Sequence, residues 1–353
     1  MTATDRRDLS RSRPAIANHG EFHVTAPRRS TVVAATLAAG LLALTGCSSA
    51  EPGAGSSSAA AESTDPGTVT ITDNHGEIEV PYQPERVVAL DNHVLQTLSD
   101  WDIELVAAAK GLMGTGIWPE YQDDDAILDV GTHREPDLEQ VIAAEPDLII
   151  GGSRFGDYYD DLSGIATTIE TEPRDDELIT DGLIRQVTTL GEIFGKQDEA
   201  QQLADALETA TAEAADAYDG QSTVLGLITS GGEISYAAPG TGRAVGPVFT
   251  ALDLVPAIET EAEDSTHGDD ISLEAVAQAN PDWLIVLDRD GALDTEGYVA
   301  ATELIGGSEL LAGVTAVQEG QIIYLDPDFY LTEDIQAYTA LFEQIRDAFT
   351  DAA

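Results

Sequence analysis

The sequence predicts two similar α/β lobes, each built on a mainly parallel, Rossmann-like sheet, joined by one long helix. Three observations carry this expectation. DLEQVIAAEPDLIIGGSR (137–154) and SLEAVAQANPDWLIVLDR (272–289) share Leu, Glu, Val, Pro, Asp and Arg at a constant offset of 135, with no gap. In each copy a helical pattern stops at Pro-Asp and a continuous apolar strand follows, Leu148 to Ile150 and Trp283 to Leu287, as suits a parallel sheet covered on both faces. Between the copies, the segment from about Gln197 to Tyr218 is rich in helix formers with apolar residues three and four apart, a helix ~33 Å long.

From the start of the chain, Arg28 and Arg29 precede TVVAATLAAGLLALTGC, an apolar run of about 15 residues that reads as a secretory signal and is short for a membrane span. Residues 1–46 are therefore expected to be a leader. The stretch LTGC, Leu44 to Cys47, resembles the bacterial lipoprotein box. That resemblance implies lipidation at Cys47, the only cysteine in the chain, and a protein tethered to the extracytoplasmic face of the cell membrane. Residues 47–68 carry no large apolar side chain and read as a flexible tether.

The folded part is expected to begin near Val69. RVVALD (86–91) reads as a buried strand, followed by a helix from His93 to Trp101 and a second strand in IELVAAA. Gly195 is expected to interrupt the helical segment between the lobes. The division is thus 69–195 for the first lobe, 196–219 for the bridging helix and 220–353 for the second lobe, whose TVLGLIT (223–229) repeats the opening strand.

Ligands of open α/β sheets bind beyond the carboxyl ends of the strands, and Arg154 and Arg289 both fall there. Arg243 lies in AAPGTGRAVG, where glycines allow close approach of a ligand to the backbone. The chain carries 65 acidic and 16 basic residues, and Lys110 and Lys196 are its only lysines. Three scarce cations in one cleft indicate an anionic ligand. The competing reading ties each to a local carboxylate such as Asp157, Asp288 or Asp290.

In VGTHREPDLEQVIAAEPDLII, TTLGEIFGK, STHGDDISLEAVAQANPDWLIVLDRD and IIYLDPDFYL, over roughly residues 69 to 350, the chain resembles the siderophore-binding lipoproteins of bacterial iron-uptake ABC transporters. The resemblance implies the periplasmic-binding-protein fold with a helical backbone, no enzymatic activity, and a ferric siderophore as ligand. Its partners would be a permease with its ATPase, and the membrane is touched only through the lipid. It implies a monomer with no intrinsic cofactor; iron arrives as the chelate. Within the family the chain is most similar to the catecholate binders. Their arginine trio corresponds to Arg154, Arg243 and Arg289, and their histidine and tyrosine iron ligands to His267 and Tyr330. TEDIQ (332–336) stands where small residues are usual.

The chemistry agrees with that implication. Ferric iron favours oxygen donors, and a phenolate with an imidazole completes a partly filled coordination sphere. A trianionic tris-catecholate is matched by planar guanidinium groups. Haem, a corrinoid, or a hydroxamate or citrate complex of iron remain alternative ligands for the same architecture. The absence of a basic face argues against nucleic acid. Neither HExxH nor GxSxG occurs, which argues against a secreted metallohydrolase. The acidic composition suits a salt-rich setting, where the Debye length falls to ~3 Å at 1 M salt.

Overall fold

Two parallel-rich sheets organise the chain. The computed structural model describes residues 67–131, 135–260, 266–293, 295 and 297–352. Cys47, the expected leader and all but the last two residues of the expected tether lie outside the described residues, as do residues 132–134 of the VGTHREP motif. Regular structure opens with a hairpin, β1 (Thr68–Asp73) and β2 (Gly76–Pro81). The first sheet contains β3 (Val87–Ala89), β4 (Leu105–Ala108), β5 (Leu128–Asp129), β6 (Leu148–Gly151) and β7 (Thr167–Glu170), in the order β5-β4-β3-β6-β7, all parallel. The second contains β8 (Thr223–Ser230), β9 (Glu233–Tyr236), β10 (Val255–Pro256), β11 (Asp269–Asp270), β12 (Trp283–Asp288) and β13 (Ile322–Tyr324). Its order is β11-β9-β8-β12-β13; β8, β10, β12 and β13 run parallel, while β9 and β11 pair antiparallel.

The duplicated segments occupy equivalent places. Asp137 caps the helix Leu138–Ala143 by accepting from the N–H groups of Glu139 and Gln140, and Ser272 caps Leu273–Ala279 by accepting from that of Ala275. Such caps supply acceptors that the first turn of a helix lacks. Each helix then delivers the chain to a strand buried on both faces, β6 or β12. In the first sheet the strand order reverses between β3 and β6, and in the second between β8 and β12. The loops beyond the carboxyl ends of these four strands are the switch points where open α/β sheets take ligands.

The connecting helix runs from Gln197 to Ala217, within one residue of the expected end, and begins after Gly195, whose φ of 68° closes the preceding helix Ile179–Phe194. Its buried stripe of Ala200, Ala204, Leu207, Ala210 and Ala214 is mostly small. Small side chains let it lie close to the C-terminal helix Ile335–Ala352, which contributes Tyr338, Leu341, Phe342, Ile345 and Phe349 to the joint core. The expected helix 93–101 divides into a short 3-10 turn, Asn92–Val94, and an α-helix, Leu95–Asp100, because Asp91 folds back to accept from the His93 N–H. No helix among the described residues is long and apolar enough to cross a membrane.

Candidate functional site

Arg289 follows β12 directly, at the switch point of the second sheet. Its Nη1 donates to Ser230 Oγ at 3.0 Å, at the end of β8, and its Nε donates to the phenol oxygen of Tyr330 at 3.1 Å. Asp288 is not its counterion. That carboxylate accepts from the Tyr298 hydroxyl at 2.7 Å and the Ala301 N–H at 2.8 Å. Asp290 is nearer, 3.5 Å from Nη1, but it also accepts from the backbone N–H of Gly231. The local carboxylates therefore fasten the loop more than they occupy the guanidinium.

Arg243 reaches the same tyrosine from another direction. Its guanidinium lies over the Tyr330 ring, 4.0 Å from the centroid, and Nη2 donates to the Tyr330 carbonyl at 2.9 Å. A cation stacked on an aromatic face is held by the ring quadrupole. Its Nε donates to Glu333 at 2.5 Å, with the two side chains only 14% and 15% exposed. The glycines around Arg243 serve the loop itself. A Cβ on Gly242 would lie 2.5 Å from the Ala238 nitrogen, and one on Gly246 would lie 2.6 Å from the Ala238 oxygen. These glycines let the chain pack closely on itself beside Arg243.

Tyr330 and Glu333 sit on a segment whose shape follows from its sequence. In DPDFYLTED, Asp326 accepts from the Asp328 N–H at 3.0 Å, turning the chain into the single helical turn Phe329–Thr332. Glu333 stops that turn with φ 40°. Asp334 then starts the C-terminal helix by accepting from the Ala337 N–H at 2.8 Å. The segment also meets the first lobe, where Asn92 Nδ2 donates to the Leu331 carbonyl and Gln336 Nε2 donates to Asp100 at 3.1 Å.

Of the five expected binding or metal-ligating residues, Arg243, Arg289 and Tyr330 converge in direct contact. Arg154 lies in the 3-10 helix Ser153–Tyr158 after β6, at the switch point of the first sheet. Its side chain is exposed and forms no hydrogen bond or ion pair with a described residue. His267 lies on an exposed turn ahead of β11.

Glu333 also borders a hollow of about 380 Å³, whose lining includes His93, Glu172 and Arg174 of the first lobe. His93 Nδ1 is 3.3 Å from Asp91. Burial, followed by the charge of Asp91, pushes the Glu172 carboxyl up to about 7. Burial likewise pushes Asp334 up to about 6. The hairpin β1–β2 is pinned alongside, with His75 Nε2 2.7 Å from Glu170 and its ring stacked on Tyr159. Sequence reasoning passed over Glu333, Ser230 and the acids around His93. Only Glu333 left a trace, as part of the TEDIQ departure. No group of three or more His, Cys, Asp or Glu placed to hold a metal ion occurs among the described residues.

A family model described as periplasmic binding protein matches residues 87–329. The chain belongs to the periplasmic binding protein family. Among members of known role, the petrobactin-binding protein YclQ of Bacillus subtilis is 28% identical over 274 residues, 76% of this chain and 84% of YclQ. The ferric-anguibactin-binding protein FatB of Vibrio anguillarum is 28% identical over 305 residues, 85% of this chain and 92% of FatB. The crystal structure of the periplasmic catecholate-siderophore binding protein VctP of Vibrio cholerae superimposes with a TM-score of 0.69 at 26% identity, covering 81% of this chain and 100% of VctP. The expected architecture, two similar lobes with mainly parallel sheets joined by a long helix, is the one this periplasmic binding protein adopts.

Proposed function

We propose that this protein captures a ferric siderophore in the cleft between its lobes and delivers it to an ABC importer. The observation that carries the reading is the convergence of Arg243 and Arg289 on Tyr330. Two guanidinium groups and a phenol together suit an anionic, oxygen-rich iron complex. YclQ is named for binding petrobactin, FatB for ferric anguibactin and VctP for a catecholate siderophore, which supports the same ligand class.

In this reading Arg154 supplies a third cation from the facing lobe, and with no hydrogen bond or ion pair to a described residue its donors are available to the ligand. Tyr330 and His267 act as iron donors when the chelate leaves two positions open, the catecholate type being favoured. Residues 1–46 are a leader and 47–68 a tether lipidated at Cys47, which holds the lobes at 69–195 and 220–353, with the helix 196–219 between them, at the extracytoplasmic face. The protein works as a monomer, with a permease and its ATPase as partners and no catalytic role.

A ligand screen tests the reading. Purified protein is titrated with ferric catecholate, hydroxamate and citrate complexes while tryptophan fluorescence is followed. Saturable quenching by at least one complex, absent with the iron-free chelator, is expected. No quenching and no heat of binding with any of them contradicts it.

A further inference from the structure

Glu333 is placed where a glutamate is costly. Its φ of 40° lies in the left-handed region, which disfavours a residue with a Cβ and normally goes to glycine or asparagine at a helix end. Strain of this kind concentrates at functional positions. The carboxylate is also mostly enclosed and holds Arg243 through Nε, while the Tyr330 carbonyl occupies Nη2. The cation that faces the ligand is therefore already paired.

The contact group is balanced in charge. Arg243 and Arg289 contribute two positive charges; Glu333 at 2.5 Å and Asp290 at 3.5 Å contribute two negative ones. A trianionic complex that takes up Arg243 has either to displace the Glu333 carboxylate or to sit beside it. Partly buried charges are screened little by salt. The hollow of about 380 Å³ bordered by Glu333 offers space for the displaced side chain.

We propose that Glu333 is a charge-selecting residue: by pairing with Arg243 it weakens the binding of highly anionic ferric chelates relative to chelates of lower charge. This deepens the reading above and rests on it. A like charge held against a ligand is a recognised route to specificity, because discrimination is a difference between affinities.

The test compares a trianionic ferric tris-catecholate with a neutral ferric trihydroxamate by fluorescence titration of the wild type, Glu333→Gln and Glu333→Gly. Glutamine keeps a polar group against Arg243, whereas glycine relieves the left-handed backbone, so the second variant retains the fold if the first loses it. Affinity for the trianion is expected to rise roughly tenfold in both variants, and affinity for the neutral complex, where it binds, to move less than about twofold. Unchanged or weakened binding of the trianion, in a wild type that binds ferric chelates, overturns charge selection alone. A wild type that binds no ferric chelate overturns the underlying reading, and charge selection with it.

Discussion

The Nε–H of Arg289 donates to the phenol oxygen of Tyr330 across 41 residues of sequence, at 3.1 Å. That contact joins the end of β12 to the turn after β13, the two strands being neighbours in the sheet. The guanidinium occupies one side of the phenol oxygen, and the proposed role of Tyr330 as an iron donor draws on its second lone pair. Replacing Tyr330 by phenylalanine keeps the ring beneath Arg243 and removes only the hydroxyl. Stability is expected to fall by ~0.5–1.5 kcal/mol. The decisive readout is visible absorption of the complex with a tetradentate ferric catecholate: the wild type is expected to show an added tyrosinate-to-iron band and Tyr330→Phe to lack it. Identical spectra count against Tyr330 as a donor.

The pH dependence of stability follows from two buried acids. Asp334 and Glu172 are pushed up to about 6 and about 7, chiefly by burial, against unfolded values of ~4. Between those limits the folded state binds more protons than the unfolded state. Their contribution is thus fully present below the unfolded value and is lost as pH rises through the folded ones. Thermal unfolding at about pH 5.5 and about pH 8 is expected to show the higher midpoint at the lower pH. Asp334→Asn keeps an acceptor for the Ala337 N–H, and it is expected to stabilise the protein at the higher pH and to reduce the difference. An unaltered difference contradicts the assignment.

The bridging helix is held by burial more than by charge. Leu207 is fully buried against the core that the C-terminal helix completes, whereas the neighbouring Glu208 is exposed. Leu207→Ala is expected to cost ~2–5 kcal/mol in urea unfolding. Glu208→Ala is expected to change stability by less than ~0.5 kcal/mol. Equal effects of the two substitutions contradict the packing described.

The acidic surface has a kinetic consequence. A formal net charge of -49 repels an anionic chelate at long range, while the guanidinium groups act at contact. Raising ionic strength from about 0.01 M to about 0.1 M shortens the screening length from ~30 Å to ~10 Å and weakens the repulsion first. Stopped-flow fluorescence is expected to show faster capture over that range. A steady slowing with added salt contradicts this view of the surface.

The sheets were legible because their information is local. The matched segments 137–154 and 272–289 carry their own caps, Asp137 and Ser272, and their own apolar strands, so the central strands β6 and β12 could be read directly. The hairpin β1–β2 was passed over although VTITDNHGEIEV carries its signal. Val69 and Ile71 alternate with polar residues, as do Ile78 and Val80, around a turn ending at Gly76. The pairing of Arg243 with Glu333 spans 90 residues. With 65 acidic residues in the chain, no local pattern marks which of them a given arginine will meet. The places of Arg154 and Arg289 were legible from strand ends, and Arg243 stood out by its glycine-rich loop; the partner of Arg243 was not legible, because long-range packing chooses it.

The most direct test of the account is an equilibrium titration of a ferric tris-catecholate into the wild type and into the double variant Arg243→Ala/Arg289→Ala, with the folded state of both checked by circular dichroism. Tight one-to-one binding by the wild type, weakened by about 100-fold or more in the double variant, is the expected result. Equal affinity of the two proteins for the chelate, or no binding by the wild type, contradicts the claim that these guanidinium groups grip the iron complex.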